Sequence, residues 1–142
     1  MYKRVLVAID LNDEAGWRRP LVTAVEHARR FGAELMVMTV VREMDAIIAA
    51  KIGAFAYQMI AADLEDQLRA RVREVGADDL LPKVVVTHGE SIYNEILGVA
   101  HGAETDLIVV GSHRLAMKDY LLGTNAGRVL PCTLDSVLVV RD

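Results

Sequence analysis

The sequence predicts a single-domain α/β fold, a Rossmann-like or flavodoxin-like three-layer sandwich on a five-stranded parallel sheet in the order 3-2-1-4-5. Three observations predict it. Short runs of Val, Ile and Leu recur along the chain without the polar alternation of a half-exposed sheet, as strands covered on both faces require. Amphipathic stretches separate those runs, so the pattern reads βαβαβαβαβ. The 142 residues are enough for one domain with a core and too few for two. One domain over residues 1–142 is therefore expected, with no linker, repeat or low-complexity segment. Right-handed crossovers leave few topologies and put the first and fourth strands at the centre.

The elements follow in order. Val5 to Ile9 is the first strand. Leu21, Val22, Val25 and Ala28 then recur at helical spacing, and Gly32 is placed to end that helix as a C′ glycine. "AELMVMTVV" is the second strand. A long helical region is expected from about Asp45 to Val75, with Ile60, Leu64, Leu68, Val72 and Val75 on one face and Gly76 as its stop. Its Met-rich first part, Met44 to Met59, is expected to pack in the core, cover the sheet end or join an interface. "KVVVTH" is the third strand. A helix marked by Ile92, Ile96, Val99, Ala100 and Ala103 follows, entered through Gly89-Glu90-Ser91. "DLIVVG" is the fourth strand. A short helix is expected from about Thr124, curtailed because Pro131 disfavours helical geometry at Leu130. "SVLVVRD" is the fifth strand.

Composition narrows the function classes. The net charge is −4 and no Lys/Arg run exists, so no nucleic-acid partner is expected. The amino terminus holds only five apolar residues in a row, too few for a secretory signal. Asp45, Lys51 and Gln58 interrupt the most apolar stretch, so no membrane insertion is expected. Cys132 stands alone, which fits a reducing, cytoplasmic setting.

In open α/β sheets ligands bind beyond the carboxyl ends of the strands, where strand order reverses. That crevice would be lined by Ala8-Ile9-Asp10 and by Val110-Gly111-Ser112-His113-Arg114. Asp10 reads either as a ribose, magnesium or base-edge contact, or as an Asx turn or helix cap, since Asn12 and Asp13 follow. Gly111 reads either as a point of close ligand approach or as a turn glycine. Gly123-Thr124-Asn125 precedes a short helix, where unpaired N–H groups and the helix dipole favour an anion, although capping alone would also explain it. His113 and Arg114 add hydrogen-bonding and cationic capacity on the same loop. Sharper alternatives lack their motifs. There is no G-x-G-x-x-G after the first strand, no phosphate-binding G-x-x-x-x-G-K-[ST] and no G-x-S-x-G elbow. The four histidines lack metal-ligand spacing. The acidic residues of a phosphoacceptor domain are misplaced.

The segments "KRVLVAID", "AELMVMTVV", "DLIVVGSHR...YLLGTNAGRVL" and "SVLVVRD" resemble, in order and over nearly the whole chain, the universal stress protein family. The resemblance implies a five-stranded parallel sheet, homodimerisation through the last strand (here Ser136 to Arg141) and, in one subset, ATP binding with Mg²⁺. That subset carries Gly, two residues, Gly, nine residues, then Gly-Ser or Gly-Thr. Gly111, Gly123 and Thr124 match its first and last parts. Arg114 replaces the second glycine, and eight residues rather than nine separate it from Gly123. The variant "SHR...YLLG[ST]NA" is similar to the F/G-type branch, for which ATP binding is also known. By position, the resemblance implies that Ala8, Ile9 and Asp10 line the adenosine end and that Val40 backbone groups read the adenine edge. Val110 and Gly111 would border the ribose, and His113, Arg114, Gly123, Thr124, Asn125 and Ala126 would hold the phosphates. No catalytic residue is assigned. Slow hydrolysis or autophosphorylation would use hydroxyls such as Ser112 or Thr124.

Three functions therefore compete. The first is a cytoplasmic adenine-nucleotide binder that signals through ligand-dependent states. The second is a homodimeric interaction module of the same family that binds no nucleotide. The third is an enzyme of another α/β class, for which no nucleophile–base pair or metal set is apparent.

Overall fold

The computed structural model describes residues 1–42, 51, 53–89, 91–111 and 133–141. Five parallel strands form its sheet: β1 (Arg4–Ala8), β2 (Glu34–Arg42), β3 (Lys83–Gly89), β4 (Leu107–Gly111) and β5 (Ser136–Val140). Their order is β3-β2-β1-β4-β5, as the sequence predicts. Three helices connect them among the described residues: α1 (Glu14–Phe31), α2 (Ala54–Glu74) and α3 (Ile92–Gly102), with a 3₁₀ turn at Asp78–Leu80.

Strand pleating divides the core into two layers. Val5 and Val7 of β1, Ile9 just past it and Leu107 and Val109 of β4 face one side, against Trp17, Leu21, Ala24, Val25 and Ala28 of α1 and Leu68 and Val72 of α2. Leu6 and Ala8 of β1 and Ile108 and Val110 of β4 face the other, against Ile96 and Ala100 of α3. Handedness explains the division. The β1→β2 and β2→β3 crossovers step one way along the sheet and β3→β4 steps back, so right-handed connections put α3 on the opposite face.

Helix ends follow local chemistry. Gly32 closes α1 at φ 62°, and Ala33 N–H reaches Ala28 C=O at 2.8 Å, a six-to-one closure. Ser91 caps α3, its Oγ accepting from Asn94 N–H at 3.4 Å. The helical region expected from Asp45 to Val75 is interrupted where it is described, since Lys51 is helical and the break comes two residues later. Gly53, at φ 105°, stands outside the helix and α2 begins at Ala54. The apolar face predicted for the second half of this region lies on α2 and holds from Leu64 onward. Leu68 and Val72 are buried and Leu64 and Val75 half-buried, while Ile60 at the face's start is exposed, as are Phe55 and Met59 before it. The short helix expected from Thr124, and its early stop at Pro131, lie outside the described residues.

Polar contacts fix the helices to each other and to the sheet. The Arg18 and Arg71 guanidinium carbons lie over the Trp17 ring, 5.0 and 4.8 Å from its centroid. Both arginines reach Glu74, at 2.7 Å from Arg18 and 3.2 Å from Arg71. Arg29 donates to Gly76 C=O and Asp79 Oδ1, each at 2.7 Å. That donor holds the Asp79 carboxyl below its usual range.

At the start of the central strands, the Asp106 carboxylate accepts from Lys3 N–H at 2.8 Å and Arg4 N–H at 3.1 Å, while Asp106 N–H donates to Arg4 C=O at 3.0 Å. This lock sets the β1–β4 register at the end opposite the crevice. Asp106→Ala should therefore lower stability by about 1–2 kcal/mol, the scale of charge-assisted bonds partly replaced by water. Urea denaturation of the variant beside the parent checks it.

Candidate functional site at the carboxyl ends of the central strands

Strand order reverses between β1 and β4, which pair as Val5↔Leu107 through Ala8↔Val110. Six of the residues singled out from the sequence belong to this end of the sheet: Ala8, Ile9, Asp10, Val40, Val110 and Gly111. His113, Arg114, Gly123, Thr124, Asn125 and Ala126 lie outside the described residues.

The side chains of Ala8, Ile9 and Val110 are core, with exposures of 3%, 4% and 1%. Anything they offer a ligand is therefore backbone. Ile9 N–H donates to Met38 C=O at 3.0 Å, one step past the β1–β2 ladder. Along a strand, N–H and C=O of alternate residues point to the same edge. The Met38 carbonyl points toward β1, so the N–H and C=O of Val40 point that way too, to the side β1 leaves as it departs. A continued ladder would pair Val40 N–H with Ile9 C=O. The buried Thr39 hydroxyl bonds that carbonyl instead, at 3.0 Å. The residue across from Val40 on β3 is Thr87. Its Oγ1 is buried with no hydrogen-bond partner among the described residues.

Asp10 shows the turn geometry that its sequence neighbours allowed. One carboxylate oxygen accepts Asn12 N–H at 2.9 Å, an Asx turn that leads the chain into α1. Asp10 N–H donates to Gly16 C=O at 3.3 Å, and Gly16 N–H to Asp13 C=O at 2.9 Å, which folds the loop onto the first turn of α1.

Gly111 has a packing requirement of its own. A Cβ built there would stand 2.9 Å from Pro20 Cγ and 3.9 Å from Gly16 C=O. Its small size is thus demanded by α1, whatever else approaches it. Pro20 is fully buried in the interior of α1. Sequence reasoning passed over Gly16, Pro20, Thr39 and Thr87. The signals were present: a proline well past the first helical turn, and threonines within otherwise apolar strands.

Another concavity, of about 730 Å³, opens at the amino-terminal end of the sheet among Arg4, Glu34, Met36, Lys83, Val99 and Glu104. Arg4 is committed there to Glu104 at 3.0 Å and Glu34 at 3.6 Å. It lies at the far end of the strands from the switch point.

A family model described as the universal stress protein family matches residues 1–141. Solved structures share the fold. The chain is 24% identical to the universal stress protein UspA from Lactobacillus plantarum, with a TM-score of 0.71, covering 99% of this chain and 98% of that one. It is 21% identical to a universal stress protein solved in complex with cAMP, with a TM-score of 0.68 and coverage of 99% and 97%. It is 20% identical to the universal stress protein from Archaeoglobus fulgidus in complex with dAMP, with a TM-score of 0.59 and coverage of 97% of each chain.

Two stability measurements test this geometry. Gly111→Ala should cost about 1–3 kcal/mol, because the methyl overlaps the Pro20 ring in a packed joint. Thr39→Val keeps the shape but leaves Ile9 C=O unpaired and buried, and should cost about 1–2 kcal/mol. Chemical denaturation of each variant reads both.

Proposed function

The chain belongs to the universal stress protein family, and we propose that it binds an adenine nucleotide, ATP with Mg²⁺, in the crevice between the ends of β1 and β4. The observation that carries this reading is the Val40 backbone, which turns one donor and one acceptor toward the edge β1 has left. An adenine edge offers an acceptor nitrogen beside an amino donor, so one strand residue can satisfy both. The Asp10 carboxylate follows the end of β1 and is suited to a ribose hydroxyl or, with the phosphates, to magnesium. Val110 and Gly111 would border the ribose. His113, Arg114, Gly123, Thr124, Asn125 and Ala126 would hold the phosphates, a loop role that rests on the sequence motif. The relatives solved with cAMP and dAMP support an adenine nucleotide as the ligand class.

The nucleotide would act as a signal rather than as fuel for fast chemistry. A ligand shifts a protein only by binding one state better than another, and a state that offers β5 for pairing is the natural output. Among the described residues no helix is long and apolar enough to cross a membrane, and the proposed setting is the cytoplasm. β5 is an edge strand whose Val137, Leu138, Val139 and Val140 are half-buried. An apolar edge of this kind invites a second copy, so a homodimer through Ser136 to Arg141 is part of the proposal.

One observation favours the second reading, an interaction module without nucleotide. Pro20 accounts for Gly111 by packing alone, so that glycine need not serve a phosphate or ribose.

The test is to denature the purified protein, identify released nucleotides by chromatography, and titrate the apo protein with Mg-ATP, AMP and cAMP by calorimetry. Binding in the micromolar range, about −8 kcal/mol, is expected for at least one of them. Gly123→Val should abolish it with the thermal midpoint unchanged. Neither release nor binding by the parent, or parental affinity in Gly123→Val, overturns the phosphate site.

A further inference from the structure

We infer that Pro20 is the positioning residue of the crevice: by withholding an N–H from Gly16 it frees the carbonyl that holds Asp10, while its ring sets Gly111. This rests on the nucleotide-binding reading for its ligand, and on geometry alone for its joint.

In a regular helix the N–H of residue 20 would donate to the C=O of residue 16. Proline has no N–H, and its ring presses on the carbonyl four residues back. The Gly16 carbonyl is therefore released from the α1 ladder. Its partner is Asp10 N–H, at 3.3 Å, at the end of β1. The same ring lies against Gly111 at the end of β4, and the Gly16 oxygen stands 3.9 Å from the place a Gly111 Cβ would take. Four residues from three elements thus meet at one point. Two of them, Asp10 and Gly111, are the facing ends of the strands that flank the switch point. Gly16 and Gly111 are both buried, as is Pro20, so the joint is solid rather than solvated.

Glycine suits the strand partner by its size. At Gly111 any Cβ meets the ring at 2.9 Å. The proline is thus the fixed element to which the two strand ends are fitted. Helix propensity gives no reason for it at this position, since Ala would extend α1 better. Its position is explained by what it does to residues outside its own helix.

The experiment compares the full-length parent with Pro20→Ala and Pro20→Ser, each of which restores an N–H at position 20. Three quantities are read: thermal midpoint, hydrogen-exchange protection of the Asp10 amide, and affinity for Mg-ATP, AMP and cAMP. The expected result is an unchanged or raised thermal midpoint. The Asp10 amide loses protection as Gly16 C=O returns to the helix ladder, and nucleotide affinity falls about five- to tenfold, the scale of one lost hydrogen bond. The penalty of Asp10→Ala on affinity should also shrink in the Pro20→Ala background, which a merely structural proline would not cause. Retained Asp10 protection in both variants overturns the inference, as does parental affinity in both. If the parent binds none of the three nucleotides, the nucleotide reading fails. Asp10 protection alone then decides: its loss in the variants supports the joint, and its retention removes it.

Discussion

Burial of both faces of the β1–β4 pair is the constraint on which the rest of the molecule depends. Val5, Leu6 and Val7 of β1 and Leu107, Ile108 and Val109 of β4 are each 3% exposed or less. A strand pair with no solvated face needs a helix layer on each side, and the chain supplies α1 and α2 on one and α3 on the other. The apolar side chains of this pair run in continuous series, so a one-residue slip would cost little in hydrophobicity. Register must be fixed by polar contacts at the strand ends. Asp106 bonding to Lys3 and Arg4 does this at one end; at the other, Asp10 N–H on Gly16 C=O ties the end of β1 to α1, against whose Pro20 Gly111 of β4 packs.

The second of these locks violates a local rule. Proline in a helix interior costs about 3 kcal/mol where it removes a ladder bond. In α1 the removed bond is replaced, because Gly16 C=O finds Asp10 N–H. The replacement connects a helix to a strand end instead of one helical turn to the next. Local preference is given up for a tertiary contact at the place where a ligand would sit, a pattern expected of functional sites. The cation–π contacts on Trp17 support the start of the same helix, since Arg18, Arg71 and Glu74 pin the first turns of α1 to α2.

Much of this was legible in the chain. The unbroken apolar runs gave all five strands to within a residue or two, because burial on both faces leaves no alternation to misread. Gly32 and Ser91 marked helix ends through chemistry local to each end. The break in the long helical region was missed because Gly53 lies in an apolar, helix-like stretch, and a single positive backbone angle leaves no periodic trace. In the first half of α2, composition left core, cover and interface open. Phe55 and Met59 are exposed in the fold, which removes only the core reading for those two residues.

At the crevice, the sequence determined the residue types: a carboxylate after the first strand, a glycine after the fourth, and the two ends side by side once right-handed crossovers are assumed. It did not decide between the readings of those residues. The Asx turn at Asp10, the packing demand on Gly111, the outward edge of Val40 and the released carbonyl of Gly16 were fixed by tertiary structure alone. Each depends on a contact between residues distant in the chain or on different elements. Pattern along a sequence records which face of an element is buried, whereas a hydrogen bond or a steric limit between elements depends on where they dock.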